Sequence, residues 1–273
     1  MTDQVNAQEN LAPVLFIPHG GGPLPLLGDP GHRQLTTFLK SIAPQLGAPT
    51  AIVIVSAHWE GSQATLTGAA NPELIYDYYG FPEESYALQY SAVGSPALAE
   101  TVRELLADAG IPAHIDPVRG YDHGMFVPLT LMYPAADIPC VQLSLLSSLD
   151  PAAHIAMGRA LSKLREQNIL VIGSGLSFHN LRAFSHADAA VRAEEFDDWL
   201  VETCAGVALG ASEREQRLIN WATAPQARFS HPREEHLLPL HVCFGVAAQH
   251  SSVAELVFND DMMGIRVSGL LWR

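Results

Sequence analysis

The chain has no long apolar run, few basic residues and only three cysteines, and each shortage removes a class of protein. No segment approaches the ~20 consecutive apolar residues that a helix needs to cross a bilayer, so a membrane span is excluded. Lys and Arg number 15 against 29 Asp and Glu, a formal charge of −14. That balance argues against a nucleic-acid partner, because binding a phosphate backbone depends on its neutralisation by basic side chains. Cys140, Cys204 and Cys243 are odd in number, widely spaced and set among apolar residues. They read as buried free thiols of a reducing cytoplasm, not as a disulfide framework. The opening MTDQVNAQEN is polar and lacks the basic-then-apolar order of a secretion signal, and residues 1–12 read as a loose tail. With no Ser/Gly or Pro linker and no internal repeat, residues 13–273 are expected to form one domain.

What is present is apolar in short blocks. Hydrophobic residues make up 48% of the 273, enough for a substantial core. Val14–Ile17, Ala51–Ala57, Cys140–Leu145, Ile169–Ile172 and Glu255–Phe258 are aliphatic and β-branched runs too short for helices. They read as strands covered on both faces. Between them, Ser95–Ala109 opens Ser-Pro and Asp150–Arg165 opens Asp-Pro, an N-cap followed by proline in the first turn. Ala189–Leu209 and Glu213–Trp221 also carry helical spacing. Alternating strands and helices point to a layered α/β domain, with Ile265–Trp272 as a candidate antiparallel edge.

The 12 histidines carry the functional signal. His32, His114, His154, His186 and His250 sit among polar or turn residues and read as surface side chains. His19 directly follows a strand and a proline and leads a Gly-Gly-Gly loop, where the backbone can turn tightly and approach a ligand. That loop matches neither the P-loop nor the dinucleotide fingerprint. His58 ends the Ala51–Ala57 run beside Trp59, and His179 follows Ile169–Ile172 after a Gly-Ser-Gly bend. In open α/β sheets, ligands bind beyond the carboxyl ends of strands, so these three positions converge. His123 follows Asp122, a candidate helix N-cap. His236 precedes Pro239, so a helix is expected to begin near Glu235 or His236. Taken singly, each of these reads equally as a ligand or as an ordinary hydrogen-bonded histidine. His241 falls at the wrong spacing for His236's helix face and reads as packing.

In chain order, PHGGGP, IVIVSAHWE, GYDHGMFVPL, SGLSFHNL and HPREEHLLPL resemble the motifs of the LigB-like class III extradiol dioxygenases. GFPEESYALQY, SPALAE and YPAADIPCVQLSL bring the resemblance closest to the 4,5-DOPA extradiol dioxygenase-like branch. It extends from about Val14 to past Gly245. The resemblance implies a three-layer α/β/α single domain around a mixed, largely parallel central sheet, with a mononuclear metal site, Fe(II) for ring cleavage with Zn(II) as a possible occupant. Its ligands would be His19, His58 and His236. His179 would be the catalytic histidine beside the metal, and His123 would face the substrate. Protocatechuate-cleaving relatives use glutamate as the third ligand, and Glu235 precedes His236 here. The first loop reads His-Gly-Gly-Gly-Pro where many branch members have His-Gly-Ser-Pro, so DOPA does not carry over as the substrate.

This residue set suits a reaction between O2 and an aromatic diol. A catechol can chelate one ion through two oxygens while three protein ligands leave positions open. Imidazole, with an ordinary pKa near ~6.5, can take and return a proton. Trp59, Phe126 and Phe178 are candidates for the wall around the ring. The same constellation would also serve a zinc-dependent hydrolase. A non-catalytic binding protein resembling the Memo proteins is a third option, although those carry cysteine at the position of His236.

Overall fold

The computed structural model describes residues 11–273; most of the expected tail, residues 1–10, lies outside them. Ala12 is already buried, and its N–H donates to the Arg165 carbonyl at 3.0 Å. Eight strands form one sheet: β1 (Val14–Pro18), β2 (Ala51–Gly61), β3 (Ala64–Thr67), β4 (Ala113–Asp116), β5 (Cys140–Leu146), β6 (Ile169–Gly175), β7 (Glu255–Met262) and β8 (Ile265–Trp272). Their order across the sheet is β4-β3-β5-β2-β6-β1-β8-β7. The pairs β1–β6, β2–β6, β2–β5 and β3–β4 are parallel, whereas β3–β5, β1–β8 and β7–β8 are antiparallel. The sheet is thus mixed and largely parallel. Ile265–Trp272 is antiparallel, as expected, but it is not the edge, because β7 pairs on its outer side.

Successive side chains of a strand face opposite sides of the sheet, and both sides are covered. Val14, Phe16, Val53, Val55 and Val171 join one core, with Leu98, Ile155, Phe196 and Leu240 from the helices. Leu15, Ile17, Ile52, Ile54 and Ile172 join the other, with Leu35, Phe38 and Leu129. The helices are α1 (Arg33–Ile42), α2 (Pro96–Asp108), α3 (His123–Met132), α4 (Pro151–Ala160), α5 (Ala189–Ala205), α6 (Ala211–Ile219), α7 (Ala227–Ser230) and α8 (Leu238–Ala247). Two predicted caps form: Ser95 Oγ accepts the Leu98 N–H at 3.2 Å and Asp150 Oδ1 accepts the Ala152 N–H at 3.0 Å. The helix expected to run to Arg165 tightens into a 3-10 turn over Ser162–Gln167, a common way to end.

The Gly-Ser-Gly segment expected to bend is still strand. Its glycines serve close approach instead: a Cβ on Gly175 would lie 2.2 Å from the His236 carbonyl oxygen. That oxygen accepts the Leu176 N–H at 2.9 Å, so the chain before α8 is seated directly on the end of β6. All three cysteines are free and buried. Burial pushes the Cys140 and Cys204 thiols up to about 12, which suits packing and not nucleophilic chemistry. No helix among the described residues is long and apolar enough to cross a membrane.

Candidate metal centre

The strand order does most of the assembly. β2, β6 and β1 are adjacent and parallel, so their carboxyl ends share one edge. His19 leaves β1, His58 lies near the end of β2, which runs on to Gly61, and His179 follows β6. Gly20, the residue after His19, has φ +88°, and a Cβ there would sit 2.5 Å from Pro25 Cγ. Only glycine tolerates that turn. His123 opens α3, while His236 stands two residues before α8 begins at Leu238, a little later than expected.

All five predicted histidines come together. The rings of His19, His58 and His236 form a nearly equilateral triangle, with centroids 4.9, 4.9 and 5.3 Å apart. His19 Nε2 and His58 Nε2 are separated by 3.0 Å. His123 lies 3.9 Å from the His58 ring, and His179 stacks on His236 at 3.4 Å and 21°. Two groups of donor atoms are close enough to hold a metal ion: His19, His58 and His123, and His179, Glu235 and His236, each within 4.8 Å. The two groups adjoin across the His19–His236 and His58–His236 contacts and form one centre.

The partners of these imidazoles set their tautomers. Ser174 donates its hydroxyl to the Gly124 carbonyl, so its oxygen accepts from His19 Nδ1 at 3.1 Å. A carboxylate can only accept. Glu235 Oε1 therefore receives Nδ1–H from both His179 (3.1 Å) and His236 (3.0 Å). Asp77 Oδ1 receives Nδ1–H of His123 at 2.8 Å and its backbone N–H at 3.0 Å. In their neutral forms His19, His123, His179 and His236 therefore keep the Nε2 lone pair unprotonated. Arg233 braces Glu235 from outside, Nη1 to Oε2 3.3 Å, and also holds Glu60.

Burial first, then the charge of neighbouring imidazoles, holds His19 and His58 well below the ordinary histidine range. At His236 burial outweighs the raising effect of Glu235 and leaves it at about 4. Burial works to raise Glu235, but the hydrogen bonds from His179 and His236 prevail and keep the carboxylate well below its usual range. The same contest at Asp77, burial against the bonds from His123, also ends below the ordinary value. At neutral pH His19, His58 and His236 are thus neutral imidazoles, the protonation state that metal binding requires.

Above the imidazoles opens a cavity of about 450 Å³. Phe178 lines it as predicted. Trp59 and Phe126 do not: Trp59 lies under the Arg119 guanidinium at 4.3 Å, and Phe126 packs behind Tyr76 and Tyr78. Asp122 does not cap α3 with its side chain; its buried carboxylate pairs with Ser56 Oγ at 2.7 Å and with Gln142. His32 and His154, read as surface residues, are fully buried. His32 Nε2 accepts the Gly21 N–H at 3.0 Å and its Nδ1 meets Asp29, so it props the glycine loop. His241 packs as expected, its ring nitrogens against the carbonyls of Leu218 and Leu237. Asp77, Tyr78, Tyr79 and Phe81 were missed, although four aromatics within Tyr76–Phe81 were a legible signal.

Comparison with known proteins identifies the family of the chain. A family described as "Catalytic LigB subunit of aromatic ring-opening dioxygenase" matches residues 13–267. A protein named Dioxygenase tasH of Hapsidospora irregularis is 41% identical over 96% of this chain and 86% of its own length. The 4,5-DOPA dioxygenase extradiol of Beta vulgaris is 38% identical, covering 97% of each chain. Its namesake in Escherichia coli K12 is 38% identical over 85% of this chain and 84% of its own. The crystal structure of an uncharacterized protein from Escherichia coli K12 superposes with a TM-score of 0.75 at 33% identity, covering 96% of this chain and all of the other. The chain belongs to the LigB family of aromatic ring-opening dioxygenases, in the extradiol class.

Proposed function

We propose that the protein opens the ring of a catechol-type substrate with O2 at a mononuclear metal held by His19, His58 and His236, giving a semialdehyde. The observation that carries this reading is the triangle of neutral imidazoles at one strand edge, His19 and His236 buried and His58 half-buried. The donor set fits a metal ion. With its Nδ1–H spent on Ser174, His19 turns an Nε2 lone pair toward His58 Nε2 at 3.0 Å, and a shared cation satisfies nitrogens so placed. His123 is the competing third donor, since its ring nitrogen lies within 4.8 Å of those of His19 and His58; the resemblance carried by the HPREEHLLPL motif is what favours His236. Imidazole donors suit Fe(II), with Zn(II) as an alternative occupant.

Bound there, the ion would supply a Lewis acid for the two diol oxygens and a site for O2. The chain's own residues handle protons and orientation. His179 offers an Nε2 acceptor to a substrate hydroxyl, while Glu235 stabilises the imidazolium that results. The proton can then be returned later in the reaction. His123, oriented by Asp77, presents Nε2 to the hydroxyl side of the ring. Phe178 and Leu176 exclude water from one face. Both oxygen atoms end in the product and the ring carbon–carbon bond beside the diol breaks, so no outside reductant is consumed.

The test is anaerobic loading with Fe(II), then oxygen uptake over a panel of substituted catechols with spectroscopic detection of the semialdehyde. Stoichiometric uptake is expected with catechols and far less with monophenols. Iron-loaded protein that ignores every catechol, yet hydrolyses esters or amides with zinc, would overturn the reading.

A further inference from the structure

The cavity says what the ring can carry. Its floor is imidazole, but no Asp, Glu, Lys or Arg lines it among the described residues. Of the other polar groups on its walls, the Tyr79 hydroxyl stands in solvent at the mouth and those of Tyr78 and Asn180 have partners. The Tyr78 hydroxyl donates to the Ser85 carbonyl at 2.6 Å. Asn180 donates to the Phe229 carbonyl at 2.7 Å and accepts the Arg182 N–H at 3.2 Å. The remaining wall is Leu24, Phe81, Phe184 and Met262.

The apolar character continues to the mouth. Tyr79 is 92% exposed and Leu181 74%, and Phe184 and Met263 are exposed as well. All four line this cavity. Large apolar side chains gathered in solvent around one opening mark a ligand surface. Met263 is presented there by the tight β7–β8 turn, in which Met263 and Gly264 have φ +56° and +84°. The cavity is larger than a bare diol ring requires, which leaves room for a substituent in its apolar upper part.

We infer that the substrate is a catechol bearing an uncharged, apolar substituent, alkyl or aryl, and not an amino-acid or carboxylate side chain. The inference rests on the dioxygenase reading for the diol end of the ligand. A carboxylate or ammonium seated inside the mouth, against Leu24, Phe81 and Met262, would lose water without gaining a counter-charge. Each methylene of an alkyl chain gains from leaving water.

The experiment compares 4-methyl-, 4-ethyl-, 4-propyl- and 4-butylcatechol with dihydroxyphenylalanine and 3,4-dihydroxyphenylacetate on the Fe(II)-loaded protein. Anaerobic binding is measured by calorimetry and kcat/KM by oxygen uptake. Affinity and kcat/KM should both climb about fourfold per added methylene until the wall is filled. The charged catechols should fall about a hundredfold below the butyl compound. Leu181→Arg should narrow the gap to the carboxylate substrate about tenfold. A flat alkyl series, charged catechols used as well as the alkyl ones, or no binding of alkylcatechols would each overturn the inference. Graded anaerobic binding without oxygen uptake would sink the dioxygenase reading instead and leave the assignment of an apolar ligand standing.

Discussion

Buried histidines occur in two settings in this molecule, and burial does not separate them. His154 and His241 are as inaccessible as His19, yet both of their ring nitrogens are engaged with backbone. His154 accepts the Leu146 N–H and faces the Asp150 carbonyl, and His241 lies between two carbonyls. At the centre each partnered imidazole spends Nδ1 on a neighbour and turns Nε2 to a shared space. Ser174, Glu235 and Asp77 do this spending. Buried His231 also leaves Nδ1 without a partner, so the mark of function is several uncommitted nitrogens turned to one space, each held in one tautomer by a partner behind it.

The largest effect should come from breaking that contrast directly. Replacing His19 or His58 with Ala should abolish metal retention and cut ring opening at least ~10³-fold, since the ion supplies several kcal/mol of barrier lowering. His154→Ala should lower stability while leaving turnover per folded molecule near the parent value. Metal analysis alongside oxygen uptake checks both, and a His19→Ala protein that keeps full metal would remove the site.

His179 sharpens the division between holding metal and moving protons. His179→Ala should retain metal and slow ring opening by ~10²–10⁴-fold, the range for a lost acid–base group. Metal loss equal to that of His58→Ala would make His179 a ligand.

A smaller effect is expected behind the ring at Asp77. Asp77→Ala frees His123 to rotate and removes the carboxylate 3.7 Å from His58 Nδ1, so it should lower kcat ~10–100-fold and weaken metal affinity by no more than that. Asp77→Asn keeps an acceptor oxygen and should recover most of it. Equal damage in both variants would point to charge and not to orientation.

The mildest consequence lies in the structural set and is read as acid sensitivity. Burial holds His154 at about 4 in the fold, against ~6.5 in the unfolded chain. Between those values the unfolded chain binds more protons, so stability rises with pH across the window and is lost as pH falls toward 4. For His154 the loss amounts to about 2 kcal/mol at pH 5. Urea unfolding of the metal-free protein at pH 7 and 5 should show a smaller difference in His154→Gln than in the parent. An unchanged difference would assign the acid sensitivity elsewhere.

Much of this was legible in the chain. The runs around Val14, Ile52 and Ile169 became adjacent strands, and Ser95 and Asp150 became caps, because alternation and capping depend on nearest neighbours along the backbone. His19, His58 and His179 were visible as strand-end residues by the same local signal. His32 and His154 were misread because a polar sequence neighbourhood does not report what a fold lays over it.

By itself the sequence determined strand and helix identity, the order of the five histidines and the glycines that permit close approach, all properties of short segments. Only the tertiary structure decided that β1, β6 and β2 lie side by side with their ends at one edge. It also decided that Asp77 and Glu235 stand behind the imidazoles, and that Met262 and Met263 cross from the last hairpin to roof the cavity. Apart from the neighbours Glu235 and His236, these pairings join residues 46 to more than 200 positions apart, and their energy comes from packing both faces of one sheet, which no local pattern encodes.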